Sequence, residues 1–161
     1  MLRTEEFQVT MADVDAAGII YFASPLRWAE RMSTGWLRQI GRPLLSLFGD
    51  GITIPAVAVH VNYRSHVSLD DTCRLTLSAA STGTTSFTFR CETFVGDAET
   101  AAVECLTTHV YTQFGHPAYA DARTTSKQPL PGWLREPLEL DLRHQDDATS
   151  APSTGISAPL T

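Results

Sequence analysis

The chain has 161 residues, of which 43% are apolar, and a formal net charge of −6. Its length suits one folded domain, and it has no run of about 18 apolar residues of the kind that spans a bilayer. The negative charge and the lack of clustered lysine and arginine argue against a nucleic-acid-binding surface. The first residues lack the pattern of a secretory signal, so we expect a cytoplasmic protein.

Three cysteines lie far apart, in segments that otherwise have strand-like composition: Cys73, Cys91 and Cys105. Their odd number and the absence of a CxxC pair favour free, buried thiols over a disulfide framework or a zinc site.

The first elements in chain order are a predicted strand and a predicted helix. Residues 7–11 alternate apolar and polar side chains, which indicates a half-buried strand. Ser24 followed by Pro25 is typical of a helix start, with Ser24 as the N-cap residue. Apolar residues then recur at steps of three and four until Gly41. This pattern predicts a helix of about 16 residues, roughly 24 Å long, whose apolar face needs a broad partner.

Four later segments are rich in β-branched and aromatic residues and are predicted strands: 54–63, 72–80, 86–95 and 101–114. The breaks between them are short, so we expect consecutive strands to pair antiparallel as a meander. A long helix after the first strand of a five-stranded antiparallel sheet is an α+β arrangement, the hotdog fold. We assign residues 1–135 to this domain and predict that residues 136–161 form a disordered tail.

The sequence lacks the GxSxG, P-loop, GxGxxG and HExxH motifs. Five histidines are scattered without ligand spacing and are interpreted as structural or exposed groups: His60, His66, His109, His116 and His144. The remaining candidates for chemistry are carboxylates.

Two carboxylates and a glycine lie between the first strand and the helix, at Asp13, Asp15 and Gly18. The start of a helix offers unpaired backbone N–H groups and a positive dipole end, which stabilise an oxyanion. An Asp-x-Asp segment before a helix is, however, more often a capping or loop motif. The segment alone leaves both interpretations open.

Its neighbours add a resemblance to a known family. Residues 11–22, Met-Ala-Asp-Val-Asp-Ala-Ala-Gly-Ile-Ile-Tyr-Phe, and residues 27–30, Arg-Trp-Ala-Glu, resemble the signature of the 4-hydroxybenzoyl-CoA thioesterase family. The likeness continues through residues 51–55 and 70–71. Within the family the chain is most similar to the 1,4-dihydroxy-2-naphthoyl-CoA thioesterases, which share an ending like Pro-Leu-Pro-Gly-Trp at residues 129–133.

The resemblance implies hydrolysis of an aromatic acyl-CoA to the free acid and CoA. Asp15 would take the catalytic position as nucleophile or general base, and Asp13 would support the loop. The backbone N–H of Phe22 would polarise the thioester carbonyl, with the Phe22 side chain in the core. A positioned carboxylate and water suffice for this reaction, so no metal and no organic cofactor are expected.

Three further residues are implied to bind substrate. Gly18 would let the chain pass close to the acyl group, Tyr21 would lie beside it, and Glu30 would contact it from the helix. Family members assemble from paired domains, which implies a homodimer or homotetramer.

The chain departs from the family where a basic cluster normally grips the CoA phosphates, because residues 83–86 are Gly-Thr-Thr-Ser. Substitutes for that cluster are Arg64, Arg74, Arg90 and Lys127. An acyl carrier protein is the alternative carrier. Three other functions stay open: release of aliphatic or polyketide acyl groups, non-catalytic acyl binding, and hydration by a hotdog dehydratase.

Overall fold

A five-stranded antiparallel sheet and one long helix form the main body of the structure, a computed structural model that describes residues 1–114 and 125–150. The elements in chain order are β1 (Arg3–Gln8), α1 (Ser24–Gln39), α2 (Leu44–Gly49), β2 (Ile52–Thr53), β3 (Ala56–Tyr63), β4 (Thr72–Thr82), β5 (Ser86–Val95), β6 (Val103–Val110), β7 (Thr112–Gln113), β8 (Ser126–Lys127) and α3 (Gly132–Ser150). The hotdog prediction is confirmed. No helix among the described residues is long and apolar enough to cross a bilayer.

The long helix α1 packs its apolar face against β1, β4, β5 and β6. Trp28, Met32 and Trp36 are buried on this face, and the Trp36 ring meets the edge of Phe89 at 5.5 Å. Full burial of a large apolar side chain contributes about 1.5–3 kcal/mol. The helix is therefore fixed by its contact with the sheet.

The sequence predicted the start of α1 to within one residue. The N-cap residue is Ala23 rather than Ser24, and no side chain caps the helix. The Ser24 hydroxyl donates instead to the Asp13 carbonyl oxygen at 2.7 Å, which ties the helix to the preceding loop.

The first strand lies earlier than predicted. β1 ends at Gln8 because the chain turns at residues 10–13, where the Asp13 N–H donates to the Thr10 carbonyl oxygen at 2.9 Å. The predicted meander is also wrong in one connection. The sheet order is β1-β4-β5-β6-β3, so β3 pairs with β6 and not with β4. The short loop after β3 does not form a hairpin, because it crosses to the loop that precedes α1.

The remaining elements surround this framework. α2 and the small sheet of β2, β7 and β8 were not predicted from the sequence.

The three cysteines are free and buried, as predicted. Burial raises the pKa of Cys73 and Cys105 to about 11 and that of Cys91 to about 12, so these thiols stay protonated at neutral pH.

The C-terminal helix α3 corrects the predicted tail. Residues 132–150 are helical, and the helix packs against β4 with Leu134 and Leu138 fully buried. The prediction of disorder is therefore wrong for residues 136–150. Residues 151–161 lie outside the described part of the chain.

α3 docks on β4 beyond the end of β1, whose pairing with β4 stops at Leu77, and next to a β-bulge. The pairing of β4 with β5 shifts register between Ala79 and Ser81, and such a bulge disrupts the backbone ladder locally. The buried Asp141 carboxylate accepts the Ala79 N–H at 2.8 Å, and the Gln145 side chain donates to the Ala79 carbonyl oxygen at 3.0 Å. Side chains of α3 thus satisfy the backbone groups of Ala79.

We predict that Leu138→Ala lowers the free energy of unfolding by about 3 kcal/mol, because it leaves a cavity between α3 and β4. Leu140→Ala is the matched control, since Leu140 is 47% exposed on the same helix, and we expect it to cost less than about 1 kcal/mol. Urea unfolding followed by circular dichroism measures both. Equal, small effects would contradict the docking of α3.

Candidate active site

The loop between β1 and α1 (residues 9–23, the β1–α1 loop) folds back on itself around Asp15. The Asp15 N–H donates to the Ile19 carbonyl oxygen at 2.9 Å, and the Gly18 N–H donates to the Asp15 carbonyl oxygen at 3.0 Å. Gly18 has a φ of +74°, a conformation that strains any residue with a Cβ atom. Apart from Gly18 itself and its two neighbours in the chain, no described residue has a heavy atom within 4 Å of the position that a Cβ atom would take there. The positive φ of this turn, and not a lack of space for a side chain, therefore explains why the residue is glycine.

The Asp15 side chain is exposed and only partly engaged. Its Oδ1 atom accepts the Ala17 N–H at 2.8 Å. Its Oδ2 atom has no hydrogen-bond partner within residues 1–114 and 125–150. One carboxylate oxygen is therefore held in place while the other is open to a reactant.

The backbone N–H of Phe22 is also open. The Tyr21 N–H donates to the Asp13 carbonyl oxygen and the Ser24 N–H to the Tyr21 carbonyl oxygen, each at 2.8 Å. The Phe22 N–H, in contrast, has no acceptor in the part of the chain that the structure describes. α1 begins two residues later, so the positive end of the helix dipole lies close to this group.

A tyrosine from β3 fixes the orientation of this peptide group. The Tyr63 hydroxyl donates a short hydrogen bond to the Phe22 carbonyl oxygen, and burial raises the pKa of Tyr63, which keeps the hydroxyl protonated. The Phe22 side chain does not lie in the core as predicted. It is 66% exposed and contacts the Tyr21 ring at 4.5 Å.

A cavity of about 590 Å³ brings Asp15, Tyr21 and Phe22 together. Its opposite wall comes from the end of β3 and the loop between β3 and β4 (residues 64–71, the β3–β4 loop). The residues of this wall are Tyr63, Arg64, Ser65, His66 and Val67. The cavity thus combines a carboxylate, an unpaired backbone donor, the aromatic side chains of Tyr21, Phe22 and Tyr63, and the basic side chains of Arg64 and His66.

Glu30, a predicted substrate-binding residue, does not line this cavity. It lies in a separate cleft of about 470 Å³ along α1, together with Arg3, Arg31 and Arg38. Gly18 does not line the cavity of Asp15 either. Of the predicted site residues, the structure therefore brings Asp15, Tyr21 and Phe22 to one place.

Asp13 has a structural environment. Its carboxylate accepts the Trp28 indole N–H at 3.0 Å, the Thr10 N–H at 2.9 Å and the Thr10 hydroxyl at 2.8 Å. Partial burial alone would raise the pKa of Asp13. Hydrogen bonds from Thr10 and Trp28, together with the charge of Arg27, outweigh burial and lower it. Asp13 therefore anchors the loop to α1.

We predict that Asp13→Ala lowers the free energy of unfolding by about 1–2 kcal/mol at pH 7, because three donors lose their acceptor. Because the pKa of Asp13 is lowered in the folded state, its carboxylate stabilises the fold at pH values above the ordinary pKa of 3.8. This stabilisation is lost as the pH falls through the lowered pKa. Urea unfolding should therefore show a smaller difference from wild type at about pH 3, with exposed Asp97→Ala as the control. A difference that is independent of pH would contradict this role.

The proposed substitutes for a phosphate-binding cluster are scattered. Arg64 lines the cavity and pairs with Glu104 at 2.9 Å. The Arg74 guanidinium lies 4.3 Å above the Phe94 ring, and Arg90 contacts Glu104 at 3.9 Å. Lys127 is exposed on β8.

Sequence reasoning missed the wall formed by the β3–β4 loop, apart from Arg64. The short polar run Arg-Ser-His at residues 64–66 follows a predicted strand, and its sequence does not indicate which segments it contacts in the fold. Only the strand order shows that this loop faces Asp15. His116 lies outside the described residues, and His60, His109 and His144 do not line the cavity.

The chain matches a known protein family over most of its length. The family model described as the Thioesterase-like superfamily matches residues 9–138, which is most of the chain. A 1,4-dihydroxy-2-naphthoyl-CoA hydrolase from Thermosynechococcus vestitus is 27% identical over 139 residues, covering 86% of this chain and 92% of that protein.

Two solved structures share the fold. The 1,4-dihydroxy-2-naphthoyl-CoA thioesterase from Synechocystis superposes with a TM-score of 0.72 at 22% identity, covering 88% of this chain and 97% of that one. The 4-hydroxybenzoyl-CoA thioesterase from Pseudomonas sp. strain CBS-3 gives 0.69 at 18% identity, covering 83% and 96%. The predicted family relationship is confirmed, and the chain belongs to the Thioesterase-like superfamily.

Proposed function

We propose that the protein hydrolyses an aromatic acyl-CoA thioester to the free acid and CoA, with Asp15 as the catalytic carboxylate. The observation that carries this proposal is the presence of the open Asp15 carboxylate and the unpaired Phe22 N–H in one cavity at the start of α1. The site residues are Asp15, Phe22 through its N–H, and Tyr21 beside the acyl group. No metal or organic cofactor is needed.

The geometry supports hydrolysis by water as follows. A thioester carbonyl oxygen accepts the Phe22 N–H, where the helix dipole stabilises negative charge. The open oxygen of Asp15 removes a proton from water, and the water oxygen attacks the carbonyl carbon. Direct attack by Asp15, giving an anhydride that water then cleaves, uses the same groups.

The aromatic acyl group is proposed from the substrates named for the relatives, 1,4-dihydroxy-2-naphthoyl-CoA and 4-hydroxybenzoyl-CoA. The exposed rings of Tyr21 and Phe22 at the cavity suit a flat substrate, because aromatic rings stack in offset or edge arrangements. An aliphatic or polyketide acyl group is the alternative that a substrate panel tests.

For the carrier, we propose CoA with Arg64 as a phosphate contact, since Arg64 alone among the four suggested basic residues lines the cavity. The backbone of the turn at residues 83–86 is hydrogen-bonded to α3. Arg135 of α3 donates to the carbonyl oxygens of Gly83 and Thr84 at 2.9 and 3.2 Å. An acyl carrier protein is the second carrier to test. The cytoplasmic location is a separate prediction.

We also propose that the protein is at least a homodimer that pairs β3 with its copy, and that dimers associate further into a homotetramer. β3 is an edge strand of the sheet, with Val57 59% and Val59 48% exposed. An exposed apolar edge strand is a site for pairing with another chain. Tyr63 of the same strand lines the cavity, so pairing there would place a second subunit beside the site.

Asp15→Asn is expected to lower kcat for an aromatic acyl-CoA roughly 10³-fold, because the amide neither accepts a proton nor attacks carbon. Release of CoA is followed with a thiol-trapping dye. The panel contains 1,4-dihydroxy-2-naphthoyl-CoA, 4-hydroxybenzoyl-CoA, a straight-chain acyl-CoA and an acyl carrier protein thioester.

Asp97→Asn, an exposed aspartate in the turn after β5, is the control and should keep full activity. Full activity of Asp15→Asn with unchanged folding would show that Asp15 is not the catalytic group. Binding of acyl-CoA by wild type without turnover of any panel member would favour a non-catalytic acyl-binding protein.

Val59→Lys is expected to shift the protein to a smaller species in sedimentation velocity, because it places a charge on the β3 edge. Leu45→Lys is the control, since Leu45 is 84% exposed on α2, and it should leave the assembly unchanged. A wild-type monomer, or an assembly that tolerates Val59→Lys, would refute pairing through β3.

A further inference from the structure

The cavity contains an imidazole that the proposed hydrolysis does not yet use. Of the histidines in the described part of the chain, His66 is the one that lines the cavity with Asp15 and Phe22. His60 lies on β3 and bonds to Asn62, and His109 is enclosed between Phe87, Phe89 and the Ile54 carbonyl oxygen.

Backbone hydrogen bonds on both sides hold His66 in the cavity wall. Before it, the N–H groups of Arg64 and Ser65 both donate to the Ala102 carbonyl oxygen, at 2.8 and 3.1 Å. After it, the Val67 carbonyl oxygen accepts the Ile20 N–H at 3.0 Å. The second contact joins the β3–β4 loop directly to the β1–α1 loop that carries Asp15. The position of His66 relative to Asp15 is therefore set by main-chain bonds.

Thioester cleavage is assisted by a proton donor beside the leaving group. When the C–S bond breaks, its electron pair goes to sulfur, and the departing alkyl thiolate takes up a proton. Asp15 acts on the attacking side of the thioester, as base towards water or as nucleophile. In the nucleophilic route it carries no proton, so an acid elsewhere in the cavity would complete the reaction.

The other cavity side chains are poor proton donors. The Tyr63 hydroxyl is engaged with the Phe22 carbonyl oxygen, and burial raises its pKa. A tyrosine hydroxyl is in general a weaker acid than an alkyl thiol. Arginine does not release a proton at neutral pH, and Arg64 pairs with Glu104. Histidine is the side chain suited to proton transfer near neutral pH.

Building on the proposed hydrolysis, we propose that His66 is a second catalytic residue, which donates a proton to the departing sulfur. Water gives a proton to Asp15 as its oxygen bonds to the carbonyl carbon. The C–S bond then breaks, and the protonated imidazole of His66 transfers its N–H proton to sulfur. The products are the acid and the thiol. The Asp15 proton is released to solvent, and solvent reprotonates His66, so the net reaction consumes one water.

The test varies the leaving group. His66→Gln is assayed with the CoA thioester and with an aryl thioester of the same acid, whose thiolate leaves without a proton. We expect kcat for the CoA thioester to fall about 10²-fold, with little change in KM, and kcat for the aryl thioester to stay within a few-fold of wild type. His144→Gln is the matched control, because its exposed imidazole lies on α3 and outside the cavity, and it should retain both rates.

The pH dependence gives a second readout. The titratable and charged groups that line the cavity together with His66 are Asp15 and Tyr21 on the β1–α1 loop and Tyr63 and Arg64 at the end of β3. If His66 acts as the acid, kcat for the CoA thioester falls on the alkaline side in wild type, and this limb is absent in His66→Gln. Any fall in kcat on the acidic side should be the same in both proteins.

Three outcomes overturn the proposal while leaving the hydrolase function intact. Equal losses with both thioesters would assign His66 a binding or structural role. Unchanged rates with both would remove it from the reaction, and an alkaline limb that persists in His66→Gln would assign that limb to another group. Failure of the proposed function is distinguishable, because wild type would then cleave neither thioester, and His66 would lose its role as well.

Discussion

The site depends on the backbone hydrogen bonds that join the β1–α1 loop to the β3–β4 loop. Four of them run between these segments: Val9 N–H to Asp71, Ile20 N–H to Val67, Leu69 N–H to Gly18 and Asp70 N–H to Val9. The isolated bridge of Ile19 with Ser68 extends this pattern, and a bridge of Val14 with Ile20 joins the β1–α1 loop to itself. Loops that carry reactive groups need such support, because the catalytic groups must be held close to the productive geometry.

The same segment uses two aspartates in opposite ways. Asp13 accepts three hydrogen bonds and supports the loop, whereas Asp15 keeps one oxygen open at the cavity. Asp13 ends the turn that begins at Thr10, Asp15 begins the turn that ends at Gly18, and their surroundings decide their roles. This division resembles enzyme sites in which environment separates two carboxylates of the same type.

Local patterns predicted much of this, and non-local pairing accounts for what they missed. The period of the apolar residues located α1, and the run from Asp13 to Phe22 contains three residues that line one cavity, because both patterns are encoded in adjacent residues. The pairing of β3 with β6 and the placement of His66 depend on segments about 40 residues apart. α3 was missed because Asp141, an acidic residue in a charged stretch, is buried, contrary to the usual tendency of carboxylates.

The contact between Ala79 and α3 has a consequence for how the protein folds during synthesis. The backbone of Ala79, beyond the end of β1, is bonded by Asp141 and Gln145, more than 60 residues later in the chain. During synthesis β4 and β5 leave the ribosome well before α3, and until α3 arrives water must solvate a strand that the finished protein buries. Nascent chains that lack α3 therefore expose the β4 surface to chaperones and to one another.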